Sequence, residues 1–168
     1  MQHASLSTLP CPIARGLDRV GEWWNIMILR DAFHGITRFD QFQKSLGIAP
    51  NILSRRLRGL VEAGLLEKIR YNDRPPRAEY VLTAIGQDFR PVLRAMFAWG
   101  NKHLAAKGPS LLMADRASSR GVEPVMVAAG TLAPITLDNV VLVAGPRASR
   151  DMHRRLDAMR ALRPDLTA

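Results

Sequence analysis

Four polar side chains recur at a spacing that places them on one face of a helix. They lie within residues 49–66, APNILSRRLRGLVEAGLL, and are Asn51, Ser54, Arg55 and Arg58. The opposite face of this helix carries apolar side chains at the i, i+4, i+7 and i+8 positions, namely Leu53, Leu57, Leu60 and Val61. A helix that packs on one side and presents amide, hydroxyl and guanidinium groups on the other fits a DNA major groove. Arginine matches guanine O6 and N7 and asparagine matches adenine N6 and N7, so these four polar residues are the predicted base contacts.

The limits of this helix are marked by residues that suit helix ends. Pro50 fits a first turn, where its missing N–H would have no partner, and Gly64 fits a left-handed stop. Ala49 is a weak N-cap, because Ser, Thr, Asp or Asn there would stabilise the helix by about 1 kcal/mol. An ordinary solvated amphipathic helix shows the same pattern, so the surrounding elements have to decide between the two interpretations.

Length, composition and charge narrow the class of protein. The chain has 168 residues, of which 47% are apolar, enough for one domain, or one small domain with an appendage. Its net charge of +9 favours polyanionic partners, with nucleic acid ahead of an anionic membrane surface. Residues 1–107 hold 16 Lys and Arg against 9 Asp and Glu, whereas residues 108–168 hold 8 against 6, so the excess lies in the N-terminal part.

The sequence carries no signal for a membrane or an oxidising compartment. A single cysteine, Cys11, excludes an intrachain disulfide and fits a reducing cytoplasm. No apolar run approaches the roughly 18 residues that a membrane helix needs. We find no charged segment followed by an apolar one at the N-terminus, and therefore expect a cytoplasmic protein without a secretion signal.

Helical patterns precede the polar helix. Ile13, Leu17 and Val20 recur at helical spacing from Cys11 to Val20, and a strongly apolar helix spans 22–33, where we expect the Trp23–Trp24 pair to pack in the core rather than line a ligand site. Thr37 is the predicted N-cap of a third helix ending at Gly47, with Asp40 near the N3 position. Two short helices joined through a glycine predict a helix-turn-helix.

A hairpin pattern follows the polar helix. Residues 65–71 and 77–82 read as strands around a turn at 72–76, with Leu66, Lys68 and Arg70 on one face of the first strand and Glu67, Ile69 and Tyr71 on the other. A basic hairpin directly after a helix-turn-helix is typical of a wing, which contacts the DNA backbone or a minor groove. The predicted backbone contacts, in the wing and outside it, are Arg38, Lys44, Arg56, Arg70, Arg74 and Arg77.

An apolar helix is expected after the hairpin. Thr83 is its predicted cap, its end falls near Ala106, and Pro91 should kink it or mark its first turn. A helix this apolar at the end of a small domain usually packs against a partner. We expect a dimer interface formed by Ile13, Leu17, Phe89, Leu93, Phe97 and Trp99.

The remaining residues predict a small β-rich appendage. Apolar runs at 111–113, 122–127 and 140–143 read as three short strands, and a basic helix from Ser149 to Leu162 closes the chain. We expect three parts: a flexible arm at 1–10, a DNA-binding and dimerisation domain at 11–107, and the appendage at 108–168. The appendage could form part of the interface, bind a small effector, or cover the apolar helix.

Several of these motifs together resemble the HxlR-type winged-helix transcriptional regulators. The resemblance rests on Cys11-Pro12, GEWWNIMILRDAFHGITRFDQF, GLLEK, RPPRAEYVLTAIG and FAWG, in the same order and spacing over about residues 11–105. It implies an α+β, mainly helical winged helix-turn-helix fold with a two-stranded wing and a long C-terminal dimerisation helix. It also implies a homodimer that binds a two-fold symmetric operator in double-stranded DNA, with repression the expected mode. The family usually has Ser or Thr where this chain has Ala49.

The resemblance also raises the possibility of a signal. Some family members use a cysteine near the first helix as a thiol switch, and Cys11 lies at that place with Arg15 one turn away. The alternative is a half-buried small residue that packs the first helix. In certain relatives the C-terminal extension resembles a zinc ribbon, but here the corresponding turns contain no cysteine, so we expect no metal.

No catalytic motif stands out. The chain lacks GxSxG, P-loop, GxGxxG and HExxH spacings, and we expect neither an enzyme nor a cofactor. The main hypothesis is therefore a dimeric, sequence-specific DNA-binding regulator. The alternative is a ligand- or partner-sensing module in which the appendage is the working part and the winged helix serves assembly.

Overall fold

The computed structural model describes residues 6, 8–74, 76–136 and 138–164. Residues 1–5 and 7 of the predicted arm and Pro75 of the predicted turn lie outside the described residues. Seven helices and two strands occur in the described part, in the order α1 (Pro12–Val20), α2 (Trp23–Phe33), α3 (Phe39–Leu46), α4 (Pro50–Glu62), β1 (Leu66–Asp73), β2 (Pro76–Leu82), α5 (Ala84–Gln87), α6 (Arg90–Leu104) and α7 (Arg150–Leu162). This mainly helical fold with a two-stranded antiparallel sheet confirms the predicted winged helix-turn-helix.

Internal contacts divide the chain into two compact units. The winged-helix unit is Gly16–Trp99, and the appendage unit comprises the described residues of 1–15 and 100–168. None of the described helices is both long and apolar enough to cross a membrane. The predicted domain limits at residues 107 and 108 stay a prediction.

The core of the winged-helix unit collects the apolar faces of its helices and the start of the sheet. Ile28 and Leu29 of α2, Phe42 of α3 and the α4 leucines are fully buried. The complete buried cluster is Val20, Ile28, Leu29, Phe42, Ile48, Leu53, Leu57, Leu60, Leu65 and Leu66. Burying each such side chain stabilises the fold by about 1.5–3 kcal/mol, so this cluster dominates the favourable side of folding.

The Trp23–Trp24 pair is only partly in this core. The two rings stack with centroids 3.8 Å apart, and Trp24 packs against the buried cluster. Trp23 is 62% exposed, so the expectation that both rings pack in the core is wrong for Trp23. Periodicity could not separate the two residues, because α2 is apolar on nearly every face.

The start of α3 differs by one residue from the prediction. Arg38, not Thr37, is the N-cap residue, and the backbone N–H of Arg38 donates to Oε1 of Gln41 at 3.2 Å. Asp40 therefore does not take the N3 position. Thr37 instead pairs with the sheet, since its carbonyl accepts from the backbone N–H of Tyr80 at 2.7 Å, next to an antiparallel bridge between Arg38 and Glu79. This pairing ties the beginning of the helix-turn-helix to the wing.

The hairpin strands are longer than predicted and their pairing is irregular. The register runs from Leu66 opposite Leu82 to Asp73 opposite Pro76. It shifts between Arg70 and Asn72, which leaves Tyr71 as the extra residue of a β-bulge. A strict alternation of faces along this strand, as predicted, therefore does not hold at Tyr71.

The expected long helix after the hairpin is two helices. Thr83 is the predicted N-cap, and its Oγ accepts from the backbone N–H of Gly86 at 3.0 Å, but α5 ends at Gln87. The second helix, α6, starts at Arg90, so Pro91 lies in its first turn. The Thr83 hydroxyl also donates to the Gly64 carbonyl at 2.6 Å. One side chain thus joins the end of α4 to the start of α5.

The predicted strands of the appendage do not form a ladder. The described part of this segment shows isolated bridges, such as Ala114 with Gly121 and Val127 with Pro134. Apolar side chains of the three runs remain exposed, among them Leu112, Val125 and Val143. The closing helix α7 begins as predicted, with the Ser149 hydroxyl accepting from the backbone N–H of Met152 at 3.2 Å.

Two glycines of the winged-helix unit should respond in opposite ways to the same substitution. A Cβ at Gly86 would lie 2.1 Å from the Leu65 carbonyl oxygen, whereas a Cβ at Gly59, inside α4, would meet nothing within 4 Å. We expect Gly86→Ala to lower the free energy of unfolding by more than about 2 kcal/mol, because backbone has to shift. Gly59→Ala should raise it by about 0.5–1 kcal/mol through helix propensity. Urea denaturation followed by circular dichroism measures both, and a neutral Gly86→Ala would contradict the close packing of α5 on the wing.

Candidate nucleic-acid interface

The α4 helix presents its two faces as predicted. Leu53, Leu57 and Leu60 are fully buried, and Val61 packs against the same core from a partly buried position. The four predicted base-contact residues, Asn51, Ser54, Arg55 and Arg58, are all exposed. Packing of the leucine face fixes the rotation of the helix, so the polar face is turned toward solvent.

The polar face is largely unengaged. Within the described residues, Ser54, Arg55 and Arg58 make no side-chain hydrogen bond or ion pair. Asn51 differs, because its Oδ1 accepts from the backbone N–H of Ile52 at 2.9 Å. That bond supplies an acceptor to the first turn of α4, where the N-cap Ala49 makes no side-chain bond.

An arginine from α1 and a glycine define the C-terminal end of α4. Arg19 of α1 donates through Nη1 to the Ala63 carbonyl at 2.8 Å, which places a positive charge at the helix C-terminus. Gly64 follows with φ of +74°, a conformation that glycine adopts without strain. Both ends of the predicted reading helix are therefore defined, and the chain leaves it directly into β1.

The predicted backbone contacts other than Arg38, which is described below, fall into two groups. Lys44, Arg70, Arg74 and Arg77 are exposed and their side chains make no hydrogen bond or ion pair within the part of the chain described. Arg56 is different: it donates to Glu22 Oε2 at 3.0 Å, and its side chain is only 18% exposed. Its Nε is buried without a partner. The structure thus places Arg56 in an internal ion pair between α4 and the start of α2, and we leave it out of the proposed DNA contacts.

An open groove separates the wing from the start of α3. We call this cavity of about 580 Å³ the wing groove, and the residues used below that line it are Arg38, Lys68, Arg70, Tyr71, Arg77 and Tyr80. Asp40 also borders it. Four cations against one carboxylate give the lining of the wing groove a net positive charge, which favours anions.

Two of the cations in the wing groove lie over aromatic rings. The Arg38 guanidinium carbon is 5.0 Å from the centre of the Tyr71 ring, and the Lys68 ammonium is 5.9 Å from that of Tyr80. Arg38 also donates through Nε to Glu79 Oε1 at 3.1 Å. This hydrogen bond raises the pKa of Arg38 above its ordinary range, so the guanidinium stays charged. Periodicity predicted none of these contacts, since each joins residues distant in sequence or displaced by the bulge.

Cys11 lies in the appendage unit, just before α1, and is partly buried. The pKa of its thiol is lowered chiefly by a hydrogen bond from the backbone N–H of Ala14, with smaller contributions from Ile13 and from the charges of Arg155 and Arg15. Partial burial opposes this effect without cancelling it. Cys11 therefore carries more thiolate at neutral pH than an ordinary cysteine.

The predicted interface residues differ in exposure. Ile13 is 74% exposed, Leu17 50% and Trp99 58%. Phe89 and Leu93 instead pack partly against the core of their own unit. Among the described residues, no group of three His, Cys, Asp or Glu side chains is placed to bind a metal ion.

This winged helix-turn-helix exposes the polar face of α4 and has a basic groove beside its wing. Both features are typical of DNA-binding proteins. The sequence profile of the HxlR-like helix-turn-helix family matches residues 19–108. The chain belongs to this family, and it is a DNA-binding transcriptional regulator rather than an enzyme. The resemblance inferred from the motifs is thereby confirmed.

Individual relatives agree with this assignment. An uncharacterised HTH-type transcriptional regulator of Mycobacterium tuberculosis (strain ATCC 25618 / H37Rv) is 36% identical over 135 residues, which cover 80% of this chain and 85% of the relative. A solved structure of a candidate transcription factor from Pseudomonas aeruginosa is 53% identical, with a TM-score of 0.65, and covers 86% of this chain and 99% of its own. The redox regulator HypR in its reduced form is 28% identical, with a TM-score of 0.54, over 58% of this chain and 97% of its own.

Substitutions at the neighbouring residues Arg56 and Arg55 should affect different properties, stability in the first case and DNA binding in the second. We expect Arg56→Ala to lower the free energy of unfolding by about 1–3 kcal/mol, because it removes packing and the partner of Glu22. Arg55→Ala should leave stability within about 0.5 kcal/mol, since the side chain is exposed, and weaken DNA binding instead. Urea denaturation and fluorescence anisotropy on the same preparations measure the two effects. An Arg56→Ala variant as stable as the wild type would show that the ion pair with Glu22 has no structural role.

Proposed function

We propose that the protein binds a two-fold symmetric operator as a homodimer and acts in the cytoplasm as a repressor. In this arrangement each subunit places α4 in a major groove and its wing along the neighbouring backbone or minor groove. The observation that carries the proposal is the polar face of α4, which is exposed and directed outward by three fully buried leucines. The half-sites would then lie about 34–36 Å apart, one turn of the double helix.

The roles of individual residues follow from their exposure and chemistry. Arg55 and Arg58 suit guanine, and Asn51 suits adenine if it releases its bond to the backbone of Ile52. The Ser54 hydroxyl can accept a hydrogen bond from, or donate one to, guanine or adenine. The proposed backbone contacts are Arg38, Lys44, Arg70, Arg74 and Arg77, each exposed in the structure.

Exposed apolar side chains support the proposed dimer. Within the winged-helix unit, Leu17 of α1 and Val92, Met96 and Trp99 of α6 are each at least 46% exposed. Large apolar side chains exposed on two helices of a small unit are typical of a surface that a partner covers. Phe89 and Leu93 serve the interface less directly, since they already pack partly against their own core.

A double substitution on α4 tests the proposed base contacts. We expect Arg55→Ala/Arg58→Ala to bind the protein's own promoter DNA at least tenfold more weakly, because each bidentate arginine contributes about 1–3 kcal/mol. Arg116→Ala/Arg120→Ala in the appendage removes the same charge from exposed positions and is the matched control. Anisotropy titrations at several salt concentrations measure both variants. Equal affinity of the α4 variant and the wild type would refute the proposed function.

We further propose that Cys11 is a thiol switch that releases the DNA when oxidised or alkylated. Its lowered pKa and partial exposure are the properties that a reactive thiol requires, and the similar protein HypR is a redox regulator. Lone-thiol sensing needs either the cysteine of a second subunit or a small-molecule thiol as the partner for oxidation.

Because Cys11 is the single cysteine, its reactivity can be followed without interference. The rate of alkylation by iodoacetamide should reach half its maximum at a lower pH in the folded protein than in urea, where the thiol has its usual pKa of about 8.5. The sign follows from the hydrogen bond to sulfur, which stabilises the thiolate in the folded state only. A folded-state midpoint at or above that in urea would contradict the activated thiol, and electrophile-induced DNA release that persists in Cys11→Ser would refute the switch.

A further inference from the structure

Arg38 is held in place more firmly than its exposure would suggest. Its side chain is 48% exposed, yet Nε donates to Glu79 Oε1 at 3.1 Å and the guanidinium lies over the Tyr71 ring. The backbones of Arg38 and Glu79 also form an antiparallel bridge. A long cationic side chain in water normally samples many rotamers, and these contacts reduce that freedom before any ligand arrives.

Tyr71, the ring over which Arg38 lies, is the extra residue of the β-bulge. Arg70 is opposite Ala78 and Asn72 is opposite Arg77, so Tyr71 has no partner in the register. Neighbouring residues of a regular strand point to opposite faces, but here both Arg70 and Tyr71 line the wing groove. A bulge re-aims a side chain in this way, and it supplies the surface on which the guanidinium stacks.

The contacts of Arg38 leave its ligand-binding end available. Glu79 engages Nε, and within the described residues Nη1 and Nη2 make no hydrogen bond. Lys68, Arg70 and Arg77 line the same groove, and their charge exceeds that of Asp40, the one carboxylate among the lining residues described. A phosphodiester oxygen is the acceptor that this arrangement matches, since arginine binds phosphate through its terminal nitrogens.

We propose that Glu79 and Tyr71 are positioning residues for DNA binding, which hold Arg38 in the wing groove so that its terminal nitrogens contact a backbone phosphate of the operator. The inference rests on the proposed function, because it assumes that the winged-helix unit docks on DNA. It gives a specific role to an acidic residue beside the DNA. Glu79 carries a charge that repels phosphate, but it favours binding by ordering the arginine that attracts phosphate.

The sign of the effect of Glu79→Ala distinguishes this role from simple electrostatics. Removing a carboxylate near DNA should tighten binding, whereas loss of the Arg38 anchor should weaken it, by roughly three- to tenfold for the ordering of one side chain. Glu67→Ala is the matched control, since Glu67 is exposed on β1 and does not line the groove. Tyr71→Leu should also weaken binding, and Tyr71→Phe, which keeps the ring, should bind as the wild type does.

A double-mutant cycle tests whether the effect acts through Arg38. Arg38→Ala should lower the slope of log affinity against log salt by about 0.9, the value for one phosphate contact. On that background Glu79→Ala should cause no further loss of affinity. Operator binding is measured by anisotropy, with thermal denaturation of each variant to show that it is folded.

Three results would overturn the inference. The first is Glu79→Ala binding as tightly as, or more tightly than, the wild type. The second is an equal loss with and without Arg38, which would indicate general damage to the sheet. The third is an Arg38→Ala variant whose slope of log affinity against log salt equals that of the wild type, which would show that Arg38 makes no phosphate contact. These outcomes are distinguishable from failure of the proposed function, in which wild type and Arg55→Ala/Arg58→Ala would bind the operator equally.

Discussion

Burial of one face of α4 is the constraint on which the rest of the winged-helix unit depends. Leu53, Leu57 and Leu60 are fully buried in one cluster with residues of α2, α3 and the first residue of β1. A helix packed through three successive turns cannot rotate about its axis without exposing large apolar side chains. The polar side chains on the other face therefore point in a fixed direction without needing contacts of their own.

A second set of contacts, between residues about 20 positions apart in the chain, ties the wing to α4. Gly64 ends the helix in the left-handed conformation, and the Thr83 hydroxyl donates to its carbonyl. Gly86 allows α5 to approach the Leu65 carbonyl more closely than any side chain would permit. The end of the reading helix, the base of the wing and the start of the next helix therefore behave as one junction, so the reading helix and the wing should meet DNA as a preformed surface.

Sequence patterns predicted the parts of this unit that depend on local periodicity. The faces of α4, the cap at Thr83 and the existence of the hairpin all follow from residues within a few positions of one another, and the structure agrees with them. The failures involve partners that are distant in sequence. Glu22, 34 residues before Arg56, turns that arginine from an exposed cation into part of an internal ion pair. Thr37 was expected to cap α3, but its carbonyl is bonded to Tyr80 in the sheet.

The appendage also shows that a local sequence pattern does not predict how distant residues pair. Residues such as Val125, Val141 and Val143 have strong β propensity, and the local pattern predicts strands. A strand also needs a neighbour with matching hydrogen bonds, and the described segment forms only isolated bridges. Propensity identifies residues that tolerate an extended backbone, but it does not supply the second strand. The relative from Mycobacterium tuberculosis aligns over a longer stretch than the family profile, so similarity to this chain is not confined to the winged-helix unit.

The electrostatics of the proposed DNA-binding surface also depend on pairings that composition does not show. A count of charges treats Arg38, Arg56 and Arg58 as equivalent cations, but the structure gives them three different situations. Arg58 is exposed on the polar face of α4, Arg56 is mostly buried and paired with Glu22, and Arg38 is held at the wing groove by Glu79 and Tyr71. An ordered arginine loses less conformational freedom on binding than a mobile one, so the cation beside a carboxylate can contribute more to affinity than an isolated cation does. In the proposed complex an acidic residue therefore contributes to DNA binding, because Glu79 holds Arg38 in place before the DNA arrives.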